Sequence, residues 1–150
     1  MRAAIHGFKY RHRTALAEPL ARLMEGELRR RPLHVDLLAP VPLHPRRLAE
    51  RGYNQSEILA RELGTRLGIP AVHCLKRTRE TVAQAGLKAT ARRANVRDAF
   101  GCADGAPVAG LRVAIVDDVC TTGATLEDCA RALREAGCAS AWGMVVARDL

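Results

Sequence analysis

The sequence predicts an α/β fold, a parallel sheet flanked by helices, and three observations carry the prediction. Short apolar runs alternate along the chain with amphipathic stretches of helix length, the order that builds a parallel sheet with crossover helices. The run Val113-Ala114-Ile115-Val116 is apolar without alternation, as a strand covered on both faces is. The segments richest in Arg, Asp and Thr directly follow apolar runs, and in such sheets ligands bind beyond the carboxyl ends of the strands.

Taken in order, residues 8–13 form a basic segment with Phe8 and Tyr10, expected as a solvated arm. Ala15 to Arg31 carries Leu16, Leu20, Leu23, Met24 and Leu28 at helical spacing. Pro19 within it suits a first turn better than a helix centre. Val35 to Pro42 is a short apolar strand, and Pro40, Pro42 and Pro45 are expected to keep the following loop irregular. A helix follows over Ser56–Leu67, stopped at Gly68. Pro70–Leu75 is a second short strand. Residues 78–97 are polar with few apolar anchors and predict a long mobile loop, partly helical near 89–94. Ala99-Phe100 re-enters the sheet, and Ala103 to Gly110 is a turn. Val113 onward is the central strand. Ala124 to Ala136 is a helix with Leu126, Cys129, Ala130 and Leu133 on its apolar face and Asp128 among its polar residues. Ala141 to Ala147 is a last strand, with Trp142 expected in the core.

Composition bounds the class. The 150 residues are 48% hydrophobic, enough for a single domain with a core and too apolar for a disordered chain. No run is long enough to span a membrane and no secretory leader is evident, so a cytoplasmic location is the default. The five cysteines stand singly, with no Cys-x-x-Cys pair. That argues against a zinc ribbon or a disulfide framework and for reduced, mostly buried thiols. The net charge of +8 is uneven: residues 1–100 carry 20 Lys and Arg against 9 Asp and Glu, and residues 101–150 carry 4 against 7. A basic first part facing an acidic motif suits a polyanionic ligand held with a cation, and equally suits nucleic acid.

Chemistry concentrates in three segments. In the first, Val113 to Thr125, an apolar strand leads into Asp117-Asp118, then a Thr-Thr-Gly turn, then a helix. That order sets backbone N–H groups and threonine hydroxyls at a positively polarised helix start, which suits a phosphate. The two carboxylates beside it suit sugar hydroxyls or a hydrated divalent cation. No Gly-Lys-Thr or Gly-Lys-Ser follows, so this is not a Walker loop. The second segment crowds Arg46, Arg47 and Arg51 after the first strand, a candidate second phosphate loop. The third, Lys76-Arg77-Thr78-Arg79, follows the second strand. All three can converge on one cleft.

Together, Val41 to Gln55 (with His-Pro-Arg-Arg and Arg-Gly-Tyr-Asn-Gln), Lys76 to Leu87 with Arg93 to Phe100, and Val113 to Thr125 resemble the ComF family of type I phosphoribosyltransferase-like proteins. The resemblance covers most of the chain in order. It implies a phosphoribosyltransferase-like parallel sheet over residues 1–150, with a minimal hood from the arm and helix of residues 1–31. It implies that Asp117 and Asp118 hold the ribose of phosphoribosyl pyrophosphate (PRPP), and that Thr121, Thr122, Gly123, Ala124 and Thr125 cradle its 5′-phosphate. Leu43, His44, Arg46, Arg47 and Arg51 would hold pyrophosphate, and Lys76, Arg77 and Arg79 would act on the leaving group. Mg2+ would be carried by PRPP and touch the aspartates only through water. The implied activity is transfer of phosphoribose to an unidentified acceptor. The alternative is a non-catalytic competence or DNA-uptake role, binding a nucleotide or single-stranded DNA or partnering competence proteins. Aromatics are 3% of residues, which lends the DNA role little independent support. The fold is compatible with a homodimer and needs no membrane insertion. Two departures stand out. The cysteine-pair zinc segment common at the family's N-terminus is not in this sequence, and Cys120 replaces the usual aliphatic residue.

Overall fold

The protein is described here by a computed structural model over residues 16–78 and 98–148. In chain order the elements are α1 (Ala17–Arg30), β1 (Leu37–Pro40), α2 (Pro45–Arg51), α3 (Gln55–Leu67), β2 (Leu75–Arg77), β3 (Phe100–Cys102), β4 (Arg112–Cys120), α4 (Ala124–Glu135) and β5 (Ser140–Arg148). β1, β4 and β5 form one sheet in that order, with both pairs parallel. Leu37 lies opposite Val113 and Pro40 opposite Val116, while Val116 lies opposite Met144 of β5.

The central strand explains the unbroken apolar run. Val113 and Ile115 join a cluster with Leu37, Ala39, Cys129 and Leu133 on one face of the sheet. Ala114 and Val116 join Leu38, Leu20, Met24, Leu59 and Leu63 on the other. Successive strand side chains point to opposite faces, so a strand covered on both must be apolar at every position. α1 and α3 cover one face and α4 the other. The helical part of the 1–31 segment therefore lies in this covering layer, with Ala17, Leu20, Ala21 and Met24 buried. Pro19 falls in its first turn, as its missing N–H favours. On the opposite face α4 approaches β5 closely: a Cβ added at Gly143 would lie 2.8 Å from Leu126 Cδ1.

Several expectations change. The segment after β1 is not irregular, because Pro45 starts the helix α2 at a position where its missing N–H costs nothing. His44 caps that helix by accepting the Arg46 N–H, and Gly52 ends it in the left-handed conformation. The strand expected at Pro70–Leu75 is reduced to a single parallel bridge between Ala71 and Leu38. Regular pairing begins at Leu75, and β2 and β3 make a separate two-stranded antiparallel sheet. Ala99-Phe100 thus leads into that hairpin-like pair and not into the main sheet. Trp142, on the edge strand β5, is 46% exposed and not core. Among the cysteines, Cys74 and Cys129 are buried and Cys102, Cys120 and Cys138 half-buried, all as free thiols. Burial pushes the Cys74 thiol up to about 11, with neighbouring Cys102 adding to it. Of the loop expected at 78–97, Thr78 is bonded to the Asp98 and Ala99 carbonyls, and residues 79–97, like the arm at 8–13, lie outside the described residues.

Two carboxylates tie neighbouring elements within the sheet and within one helical layer. Asp36, just before β1, accepts the Arg112 backbone N–H at 2.9 Å and the Arg112 guanidinium at 2.8 and 2.7 Å. Those bonds hold its carboxyl well below the usual carboxylate range. Glu25 of α1 accepts from Arg66 of α3 at 2.7 Å and from Arg29 at 2.6 Å. The Arg66 bond lowers its pKa, against the desolvation that raises it. A lowered carboxylate pKa gives stability that is full above the unfolded-state pKa, about 4, and is lost as the pH falls below it. Asp36→Asn and Glu25→Gln should therefore have lower urea midpoints than the wild type at neutral pH. The gap should narrow as the pH is taken from about 5 toward about 3.

Candidate functional site

The site is built where the carboxyl ends of β1 and β4 lie side by side. Parallel pairing of the two strands forces this, and the Val41 N–H continues the ladder to the Val116 carbonyl at 3.0 Å. Each strand then hands the chain to a helix at the same edge: β1 to α2 and α3, β4 to α4.

On the β4 side the acidic pair does not end the strand, which continues to Cys120. Asp117 is half-buried and Asp118 is 2% exposed. Asp117 Oδ1 accepts the Asp118 N–H at 2.9 Å and the Ser56 hydroxyl at 2.8 Å. Thr121 and Thr122 form the turn, half-buried, and Gly123 takes φ +84 as the residue before α4. A side chain there would strain the backbone, though a Cβ would meet nothing nearer than Glu127 Oε1 at 3.7 Å. The helix has no side-chain N-cap bond. The Thr122 hydroxyl oxygen reaches the Ala124 N–H only at 3.4 Å. The N-terminus of α4 thus presents backbone donors beside the half-buried Asp117, an arrangement able to take an anionic group and a polyhydroxyl together, while Asp118, the next residue of the strand, is buried. Ala124 is buried and Thr125 half-buried on this first turn.

On the β1 side, Leu43 and His44 are half-buried and lead into α2. Arg46 pairs with Glu50 at 3.1 Å, Arg51 Nη1 donates to Gln55 Oε1 at 2.6 Å, and Arg47 is half-buried. Asn54 caps α3 by accepting the Ser56 N–H at 3.1 Å and donates to the Val41 carbonyl at 3.0 Å.

The third segment divides. Lys76 and Arg77 alternate across β2, so they point to opposite sides. Lys76 is exposed and pairs with Asp104 at 3.0 Å. Arg77 stacks its guanidinium over the Phe100 ring at 5.2 Å. Burial pushes the Cys129 thiol well up, Asp117 and Asp128 add to the rise, and Arg77 opposes it. Arg79 lies outside the described residues.

Asp128 was expected on a solvated face and is instead buried. It accepts the Asp98 N–H at 3.1 Å, the Phe100 N–H at 3.0 Å and Arg131 Nε at 3.0 Å. Arg131 also donates to the Phe100 carbonyl. One turn of α4 therefore carries the small sheet, and with it Arg77, next to the helix whose start forms the site. Ser56, Asn54 and Asp128 are all uncharged-looking or surface-like in sequence; only the Asn-x-Ser cap spacing of Asn54 offered a local signal.

These features meet a known pattern: the phosphoribosyl transferase domain model matches residues 48–149. The chain belongs to this family. It is 37% identical over 149 residues to Competence protein F of Haemophilus influenzae, covering 93% of this chain and 65% of that protein. It is 36% identical over 161 residues to DNA utilization protein YhgH of Escherichia coli (strain K12), covering 97% and 66%. The chain thus spans just under two thirds of the length of these relatives. By structure it is similar to glutamine PRPP amidotransferase from B. subtilis, solved with ADP and GMP, at TM-score 0.62 and 21% identity over 95% of this chain and 30% of that one. An adenine phosphoribosyltransferase gives TM-score 0.57 and 18% identity over 90% and 71%. Both likenesses concern the fold, which is that of the type I phosphoribosyltransferases. No helix among the described residues is long and apolar enough to cross a membrane.

Asp128→Ala should lower stability by about 2–4 kcal/mol, since it strands the buried Phe100 N–H and removes a charged acceptor. Urea unfolding measures this, and Asp128→Asn, which keeps one acceptor oxygen, should recover part of the loss.

Proposed function

We propose that this chain binds PRPP and transfers its phosphoribosyl group to an acceptor, releasing pyrophosphate. The observation that carries the proposal is the junction of β4 and α4: an acidic pair beside a helix N-terminus that has no side-chain cap. The family membership and the fold support it.

In this proposal Asp117 and Asp118 accept hydrogen bonds from the ribose hydroxyls, with the half-buried Asp117 the more accessible of the two. The backbone N–H groups of Thr121 to Thr125, with the threonine hydroxyls, receive the 5′-phosphate. Leu43, His44, Arg46, Arg47 and Arg51 lie across the strand edge and receive pyrophosphate. Rupture of the bond from the anomeric carbon to pyrophosphate leaves positive charge on the ribose and negative charge on the departing group, which the arginines stabilise. The acceptor forms its new bond to the same carbon and gives up its proton. Lys76 and Arg77 are proposed to act on the leaving group from the small sheet, Arg77 from its place over the Phe100 ring.

The donor set also fits Mg2+. Asp117 and Asp118 are oxygen groups suited to a hydrated cation, and among the described residues no group of three His, Cys, Asp or Glu could hold an ion alone. The ion would draw its ligands from PRPP and water and meet the aspartates through that water, as Mg2+ commonly does. Bound there, it would neutralise charge on the leaving pyrophosphate.

Calorimetric titration with PRPP and Mg2+ tests the proposal. Binding is expected, and Asp117→Asn with Asp118→Asn should weaken it by tenfold or more per residue, from the loss of charged hydrogen bonds worth about 1.5–3 kcal/mol each. Unchanged affinity in the double variant would refute the assignment.

The names of the relatives, Competence protein F and DNA utilization protein YhgH, favour a second reading in which the chain acts in DNA handling. The cations proposed for pyrophosphate would then also meet the DNA backbone. Single-stranded DNA should bind weakly, more weakly as salt rises, and be displaced by PRPP. Tight binding indifferent to PRPP would shift the main role away from phosphoribosyl chemistry.

A further inference from the structure

We infer that Ser56 is a positioning residue that orients Asp117 toward a ribose and ties that carboxylate to the helices following β1. The inference rests on the sugar-phosphate reading of the site. Ser56 is 1% exposed, so its hydroxyl serves no role toward solvent. It donates to Asp117 Oδ1 at 2.8 Å across 61 positions of chain. The Asp118 N–H reaches the same oxygen at 2.9 Å. Two donors on one carboxylate oxygen hold the side-chain torsions of Asp117 and so set where its other oxygen stands.

A helical hydroxyl commonly satisfies itself on the carbonyl four residues back. Thr65 of α3 does this with the Arg61 carbonyl at 3.0 Å. Ser56 lies in the first turn of the same helix, where the preceding chain is not helical, and its hydroxyl crosses to β4 instead.

Ser56 is itself held. Its N–H donates to Asn54 Oδ1, and Asn54 Nδ2 donates to the Val41 carbonyl at the end of β1. The sequence of bonds Val41–Asn54–Ser56–Asp117 therefore joins the two strand ends from which the site is built, through the buried side chains of Asn54 and Ser56. Arg51, the last residue of α2, is bonded to Gln55, which precedes Ser56 at the start of α3. A carboxylate proposed for ribose is thus braced by the segment proposed for pyrophosphate.

If Ser56 only held the fold together, its loss would weaken every ligand alike. As a positioning residue it acts through Asp117, and its loss falls on ligands that carry ribose. The full chain is titrated with pyrophosphate, ribose 5-phosphate and PRPP, each with Mg2+, as wild type, Ser56→Ala, Asp117→Asn and the double variant. Ser56→Ala should bind pyrophosphate as the wild type does and bind ribose 5-phosphate and PRPP about 3- to 10-fold more weakly. It should add no further loss in the Asp117→Asn background. An equal loss for all three ligands, a loss that persists beside Asp117→Asn, or no loss would overturn the inference. If Ser56→Ala does not fold, Ser56→Cys, which nearly keeps the volume and weakens the donor, takes its place in the same cycle. Wild-type protein that binds neither ribose 5-phosphate nor PRPP would overturn the sugar-phosphate reading and the inference with it, whereas a failure confined to the variants overturns the role of Ser56 alone.

Discussion

The parallel pairing of β1 with β4 is the constraint on which the rest depends. β4 is buried on both faces, so its neighbours in the sheet and the helices above and below it have little freedom of placement. Parallel pairing puts the carboxyl ends of the two strands at one edge. Everything that carries chemistry in the proposal leaves the sheet at that edge: the acidic pair, the turn before α4, the basic helix α2 and the capped start of α3.

Charge is distributed to match. The surplus of basic residues lies in the first 100 positions and the acidic motif in the last 50, yet the fold interleaves them. Several arginines have carboxylate partners: Arg29 and Arg66 on Glu25, Arg112 on Asp36 and Arg46 on Glu50, of which Asp36–Arg112 joins the two parts of the chain. Exposed pairs such as Arg46–Glu50 are weak and reopen at little cost to meet a stronger anion. The buried Glu25 and Asp128 are different: each joins separate elements, and losing them leaves the largely buried Arg66 and the buried Phe100 N–H respectively without these partners.

Asp128 and Ser56 share a logic. Each is a polar residue in a helix packed on the sheet, and each reaches sideways to a backbone or carboxylate far away in sequence. Asp128 carries the β2–β3 pair on α4, and Ser56 carries Asp117 on α3. The site is therefore assembled from two helices that cover opposite faces of the sheet, with its geometry dependent on buried hydrogen bonds as well as on apolar packing.

What the sequence determined by itself is what local spacing encodes. The apolar run of β4, the amphipathic period of α1, α3 and α4, the turn at Thr121–Gly123 and the basic cluster after β1 are all written in contiguous residues, because burial and backbone preference act over a few positions. The tertiary structure decided what depends on who stands opposite. α2 forms because His44, Pro45 and Gly52 agree at its two ends, against the expectation set by the prolines. The second strand moved from the main sheet to a separate pair because Phe100–Cys102, about 25 residues on, offered it a partner. Trp142 is exposed on β5, whose place in the strand order no window of sequence contains. Asp128 and Ser56 became structural because their acceptors and donors arrive from 28 to 61 positions away, and a hydrogen bond across that distance exists only once the chain has folded.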